Sequence, residues 1–300
     1  MSMDLEEYRP LMFSIAYQMT GSVGDAEDIV QEGFLRATGQ RPDNPKAYLA
    51  TVTTRLAIDH LRSARVRRES YVGTWLPEPL VSDAPSQSDP AEQVELSDSL
   101  SMAFLVLLES LNPAERAVFL LREVFGYGYD DIADATGKSE ANCRQIFARA
   151  KRQVDARRPR FAASRAEADE LVRRFIDATT GGDLAALTDL LAPDVVFYGD
   201  SGGRGEGVRG PVHGRDRVAR LLSQVRKVSA RRRVSLRGAP VNGQPGLIGV
   251  DQNGDLIGVF SFDILDGRIQ TIRSVVNPDK LRHLGPVSRI WHFHGDTEPR

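Results

Sequence analysis

Apolar side chains recur every three to four residues through the first half of this 300-residue chain, and the period shortens to that of strands in the second. A first helix is predicted over 5–20, with Leu5, Tyr8, Leu11, Met12, Ile15 and Met19 on one face. Gly21-Ser22 then breaks and caps, and a second helix over 25–37 buries Ile29, Val30, Gly33, Phe34 and Ala37. Asn44-Pro45 sets a capping side chain before a proline suited to the first helical turn. The third helix therefore runs from 46 to about 67, packing Tyr48, Leu49, Val52, Leu56, Ile58, Leu61 and Ala64. The device recurs at Asp89-Pro90 with Glu92 and at Asn112-Pro113 with Glu115, and helices follow over 94–111 and 114–125.

Residues 129–154 carry helix-turn-helix punctuation. A short helix over 130–136 faces inward through Ile132, Ala133 and Thr136, Gly137 turns, and Ser139 caps a second helix. In that helix Cys143, Phe147, Ala150 and Val154 form the inward stripe, while Arg144, Gln145, Arg149, Lys151 and Arg152 project outward. Such a cationic, polar face suits a major groove, the plainer alternative being a solvated amphipathic helix.

After Pro159 the texture becomes α+β. Helices are expected over 167–180, 183–191 and 216–228, an extended run at 195–198, and strands over 231–237, 246–251, 256–265 and 268–276. Asp251 to Asp255 and Asp266-Gly267 are hairpin turns. Between the halves lies a proline-, serine- and acid-rich connector whose one apolar knot is Trp75-Leu76-Pro77-Glu78-Pro79. A knot of this kind needs an apolar surface to sit on, so the connector is expected to be docked.

Charge sharpens this picture. The net charge of −2 conceals two basic blocks: Lys46, Arg55, Arg62, Arg65, Arg67 and Arg68 face only Asp59, and eight basic residues over 138–160 face Glu140 and Asp155. Six acids and no base occupy 77–98 between them. This is the asymmetry of a nucleic-acid binder held in check. The single cysteine, Cys143, excludes an intramolecular disulfide, no apolar run reaches bilayer length, and Asp4, Glu6 and Glu7 argue against a signal peptide, so a cytoplasmic protein without membrane contact is expected.

Taken together, the acidic DAEDIVQEGFLRA helix, the basic AYLATVTTRLAIDHLRSARVRRE helix, the connector, and LNPAERAVFLLREVFGYGYDDIADATG with its recognition helix closely resemble an extracytoplasmic-function sigma factor. The remainder resembles the SnoaL-like domain of ketosteroid-isomerase cone type fused to such factors in one subgroup. The linker knot, the turn Asp200-Ser201-Gly202-Gly203-Arg204 and Asn277-Pro278-Asp279-Lys280-Leu281 carry that second likeness. It implies a multidomain fold: an all-α region-two domain (1–70), a linker (71–90), an all-α region-four helix-turn-helix domain (91–158), an α+β cone with a curved antiparallel sheet (165–285), and a tail (286–300). The resemblance assigns Asp25, Glu27, Asp28, Gln31 and Glu32 to core RNA polymerase, whose β′ and β subunits are the expected partners. It assigns Arg55, Asp59, Arg62, Arg65 and Arg68 to the minus-ten element, and Arg144, Gln145, Arg149, Lys151 and Arg152 to the minus-thirty-five element of promoter DNA. Trp75, Leu76, Pro77, Asp200, Arg204, Asn277, Pro278, Asp279, Lys280 and Leu281 become the regulatory contacts. Two departures stand out: Gly128 replaces the hydroxyl cap usual before Tyr129, and Ser201 interrupts the usual glycine run.

Three functions compete. A sigma factor whose cone replaces or supplements a separate anti-sigma protein accounts for the whole chain. A stand-alone helix-turn-helix regulator with a ligand-sensing domain leaves the acidic helix unexplained, and an enzyme with a DNA-binding appendage accounts for the cone alone. Tyr198, Asp200, His213 and Asp263 are candidate acid–base groups, but no pattern among them specifies a dyad. His283, His292 and His294 lack cysteine partners for a metal. No catalysis, cofactor or metal is therefore expected, while a small-molecule or protein ligand of the cone stays open.

Overall fold

The computed structural model describes residues 5–69, 71–82, 99–157, 164–203, 208 and 210–288. Its contacts divide into two compact units. Met1–Ser70 groups with Phe104–Arg158, and the connector Tyr71–Ala103 groups with Pro159–Arg300.

The first unit is helical: α1 (Arg9–Thr20), α2 (Val23–Ala37), α3 (Pro45–Glu69), α4 (Met102–Leu108, in this unit from Phe104), α5 (Pro113–Glu123), α6 (Tyr129–Thr136) and α7 (Glu140–Asp155). The caps sit where the sequence places them. Ser22 Oγ accepts from Asp25 N at 3.1 Å, Asn44 Oδ1 from Ala47 N at 3.2 Å, and Asn112 and Glu115 close a reciprocal box at 3.0 and 3.2 Å. Gly128 supplies no side-chain cap to α6, and Gly137 at φ 66° ends it.

Inward faces differ from expectation in three places. α3 buries Leu49, Ala50, Thr53, Thr54, Ala57, Ile58 and Leu61, a wider band than predicted, because it packs on α1 and α2 as well as on α5 and α6. In α6 the buried pair is Ile132 and Ala135, with Ala133 only half-buried. In α7 Ile146 is buried, whereas Phe147 lies at the edge between Phe119 and Tyr129, with ring centroids 6.2 and 6.3 Å away. The helix predicted over 94–111 is interrupted at Ser101 and ends at Leu108, and 94–98 and the Asp89-Pro90 start lie outside the described residues.

The second unit opens with α8 (Arg165–Gly181), α9 (Leu184–Leu190) and, after the first strands, α10 (Arg215–Arg231). Among the described residues six strands, β1 (Leu191–Asp200), β2 (Val212–His213), β3 (Ser235–Gly238), β4 (Gly246–Val250), β5 (Leu256–Leu265) and β6 (Arg268–Val275), form one sheet ordered β2-β1-β6-β5-β4-β3. All neighbours are antiparallel except β1 and β6, which run parallel. β1 begins four residues before the predicted run. The strand expected from 231 starts only at Ser235, because α10 continues to Arg231 and Arg233 turns with φ 53°. Asp266 and Gly267, at φ 51° and 66°, make the two-residue hairpin turn that Asp-Gly predicts.

One sheet face packs Phe197, Leu247, Phe262, Ile264 and Ile272 against Leu171, Phe175, Val218 and Leu222 of the helices. β5 is buried almost continuously, the mark of a sheet covered on both faces. On the other face Arg273 makes a bidentate pair with Asp263, at 2.7 and 2.8 Å.

Candidate functional site

Three surfaces of the helical unit carry the residues singled out by sequence. On α2, Asp28 and Gln31 are exposed, whereas Glu27 pairs with Arg9, Glu32 with Arg36 at 2.9 Å, and Asp25 faces His60 Nε2 at 3.1 Å. Leu35, four residues after Gln31 and so on the same helical face, is 71% exposed, a feature the sequence reading missed. On α3, Arg55 donates to the Asp134 carbonyl of α6 at 2.5 Å, and exposed Asp59 and Arg62 approach to 3.4 Å. The side chains of Arg65 and Arg68 lie outside the described residues. On α7, Arg144 pairs with Glu140 at 2.7 Å and lies 4.9 Å over the Tyr129 ring. Arg149 pairs with Glu115 at 2.9 Å, and Lys151 pairs with Glu123. Exposed Gln145 has no side-chain partner among the described residues, and Arg152 bonds only to the Ala148 carbonyl of its own helix.

α5 is tied to the end of α1 and to the end of α4 through Arg116, which is 3% exposed. Its guanidinium donates to the Leu108 carbonyl at 3.0 Å and to the Met19 carbonyl at the end of α1 at 2.6 Å, and pairs with Glu109 at 2.8 Å.

In the second unit the connector is docked. Asp200, fully buried at the end of β1, receives four donors: Oδ1 accepts from the Tyr71 hydroxyl and from Gly202 N, and Oδ2 from Leu76 N at 2.8 Å and Lys280 Nζ at 2.7 Å. Lys280 also donates to the Leu76 carbonyl and lies 4.3 Å over the Trp75 ring and 4.9 Å over Tyr71. Asn277 donates to the Tyr71 hydroxyl at 3.0 Å, and His283 Nε2 meets the Pro79 carbonyl at 2.8 Å. Burial, with the Asp200 carboxylate beside it, pushes the Tyr71 phenol well above its ordinary range.

A second fastening centres on Asn242, which is 2% exposed and has φ 52°. Its backbone N donates to the Leu80 carbonyl at 2.7 Å, its Oδ1 accepts from Leu80 N at 2.9 Å, and its Nδ2 donates to the Leu100 carbonyl at 2.9 Å. One residue thus holds both ends of the acid-rich connector. The structure brings Trp75, Leu76, Asp200, Asn277 and Lys280 together, Pro77 and Leu281 are buried, and Arg282 pairs with Asp279 at 2.8 Å. Arg204 lies outside the described residues. Tyr71, Asn242 and His283 were not anticipated, although an aromatic at the start of a polar connector and an Asn-Gly between strands were visible signals.

Inside the cone, between α8, α10 and the sheet, is a cavity of about 210 Å³ lined by apolar side chains together with Thr179, Thr180, Ser201, Arg226, Ser229 and Ser274. Tyr198, Asp200, His213 and Asp263 do not line it.

The family description Sigma-70 region 2 matches residues 5–67, Sigma-70 region 4 matches 101–154, and a SnoaL-like domain matches 172–272. The chain is 37% identical over 290 residues to the extracytoplasmic-function (ECF) RNA polymerase sigma factor SigJ of Mycobacterium tuberculosis, covering 93% of this chain and 92% of that one. The chain belongs to the ECF RNA polymerase sigma factors. It is 38% identical over 280 residues to the probable ECF sigma factor SigI of the same species. The crystal structure of M. tuberculosis SigJ superposes with a TM-score of 0.74 at 32% identity, covering 93% of this chain and 98% of that one. As an ECF sigma factor, this protein works with core RNA polymerase and promoter DNA, and its third part is a SnoaL-like domain with an enzyme-like fold. Among the described residues no helix is long and apolar enough to cross a membrane, and no cluster of three or more His, Cys, Asp or Glu could hold a metal ion. His292 and His294 lie outside those residues.

Proposed function

We propose that this ECF sigma factor initiates transcription in the cytoplasm under restraint by its own SnoaL-like domain, which acts as a regulator without catalysis. Asp28, Gln31 and Glu32 of α2 face the β′ subunit of core polymerase, with Asp25 and Glu27 beside them. The outer face of α3, through Arg55, Asp59, Arg62, Arg65 and Arg68, serves the minus-ten element. The outer face of α7 serves the minus-thirty-five element, with β beside it.

The observation that carries the restraint is the double hold of Asn242 on Leu80 and Leu100. The chain between them would reach about 70 Å if extended, but both ends return to one side chain. The centres of the two promoter elements lie about 25 base pairs apart, or about 85 Å along the duplex at about 3.4 Å per pair. A compact chain the size of the helical unit has a radius of gyration of only about 14 Å. Reading both elements therefore requires α3 to leave α6 and the connector to leave Asn242.

Three measurements test this. Asn242→Ala leaves the Leu80 and Leu100 groups without their partner; it should raise run-off transcription with core polymerase several-fold, and unchanged output would reject the clasp. Trp75→Ala removes the ring under Lys280 and should alter promoter output while both helical domains stay folded by circular dichroism; unaltered transcription counts against the dock. Arg152→Ala should cost about 1 to 3 kcal/mol if the arginine reads a base, seen as a loss confined to one minus-thirty-five position. An equal loss on every sequence would make it a phosphate contact.

A further inference from the structure

Two donor atoms that border the cone cavity, Thr179 Oγ1 on α8 and Arg226 Nε on α10, are shielded from solvent yet have no hydrogen-bond partner among the described residues. They belong to one end of the cavity: a Cβ placed on Gly182, three residues after Thr179, would stand 2.4 Å from the Arg226 guanidinium carbon. Among the described residues no acidic side chain lines the cavity, and the rest of its wall is largely apolar, including Phe175, Phe197, Leu222, Leu247 and Phe260. Orphaned buried donors are costly unless something accepts from them. An occupant that satisfies this wall presents an acceptor, best a negative one, at the Arg226 end and hydrocarbon elsewhere. At the packing density of protein interiors, about 0.74, the cavity takes about 155 Å³ of ligand. That is on the order of eleven non-hydrogen atoms, somewhat more than the benzene a cavity of about 150 Å³ accepts.

The rim ties this cavity to the dock. Gly199 and Ser201 line it while Asp200 between them points the other way to hold Tyr71, Leu76 and Lys280. Val276 and Pro278 line it while Asn277 between them holds Tyr71. Alternate residues of the same two strand ends thus serve the two sides. We propose that the cone binds a small aromatic or branched aliphatic carboxylate, whose carboxylate accepts from Arg226 and Thr179, and that its occupancy steadies the two strand ends and tightens the hold on the connector. The binding site stands on its own observations; the regulatory consequence rests on the restraint proposed above.

The test uses the full chain carrying Trp291→Phe, which leaves Trp75 as the one tryptophan, with 3-phenylpropionate as probe and 3-phenylpropan-1-ol as its neutral counterpart. The acid should bind saturably, raise the Tm and change Trp75 emission, and Arg226→Gln should weaken it by about tenfold or more while leaving the alcohol little affected. Val225→Phe, which fills the cavity, should abolish both. Coupling is reciprocal, so Asn277→Ala should weaken the acid several-fold. Absence of saturable binding, or equal binding of acid and alcohol with Arg226→Gln silent, overturns the site. Binding that leaves Trp75 emission and the Asn277→Ala affinity unchanged overturns the coupling, while the clasp at Asn242 is judged separately by transcription.

Discussion

Asp200→Ala should destabilise the connector-and-cone unit by about 3 to 5 kcal/mol, the cost of stripping one partner from a buried ion pair. The effect is large because Lys280 is itself only 6% exposed and would be left as an uncompensated ammonium. The Leu76 amide and the Tyr71 hydroxyl would lose their acceptor at the same time. Urea unfolding followed by Trp75 emission in a Trp291→Phe chain measures it, and a loss under about 1 kcal/mol would show that the pair is not buried in solution. Adding Lys280→Met to Asp200→Ala should recover part of the loss, since two apolar replacements are less costly than one orphaned charge. The same site sets a pH window. The Tyr71 phenol is raised in the folded protein above its ordinary value of 10.0, so the stability it contributes is complete below about pH 10 and declines as pH rises toward the folded value. Dock stability should therefore be insensitive to this group from neutral pH to about 10 and fall beyond it.

Arg116→Met should cost the helical unit about 2 to 4 kcal/mol, because the change leaves the Leu108 and Met19 carbonyls short of a charged donor inside the packed helices. Glu109 is 26% exposed by side chain and can take water, which keeps the loss below that expected at Asp200. Arg116→Lys should not restore the stability, since an ammonium cannot reach three acceptors in the geometry of a guanidinium fork. Denaturant midpoints of the three proteins decide the matter; a lysine variant within about 0.5 kcal/mol of the parent would mean that charge alone suffices. Hydrogen exchange should also quicken at the end of α1, where Met19 loses its tie to α5.

Local rules made much of this molecule legible. Ser22, Asn44, Asn112 with Glu115, and Ser139 announce helix starts by chemistry confined to four residues, and Asp266-Gly267 announces its hairpin in two. What escaped is what depends on distant partners. Thr53 and Thr54 look like solvent-facing residues of an amphipathic α3 until the helices packed around it bury them. Arg116 sits beside a capping glutamate in a charged run and reads as surface, yet its acceptors come from two separate stretches of chain. Ile146 and Phe147 are equally apolar neighbours, and only the aromatic contacts at the edge of α7 place the ring outside the core. The motifs around Trp75, Asp200 and Lys280 marked the dock, but for Tyr71 and Asn242, which complete it, the local signals, an aromatic opening the connector and an Asn-Gly between strands, do not name the distant partners.

The parallel pairing of β1 with β6 has a consequence for the newborn chain. β1 can be complete long before β6 exists, yet Asp200 meets Asn277 and Lys280 only when β6 lies beside it. Leu76 and Tyr71 therefore emerge from the ribosome some two hundred residues ahead of the side chains that bind them, about 10 to 40 s at ordinary elongation rates. For that interval α3 and α7 can be present without the completed dock at Asp200, and a chain broken off before Asn277 would never acquire the Asn277 and Lys280 contacts. On the restraint proposed above, the dock is complete only once Asn277 and Lys280 have been made.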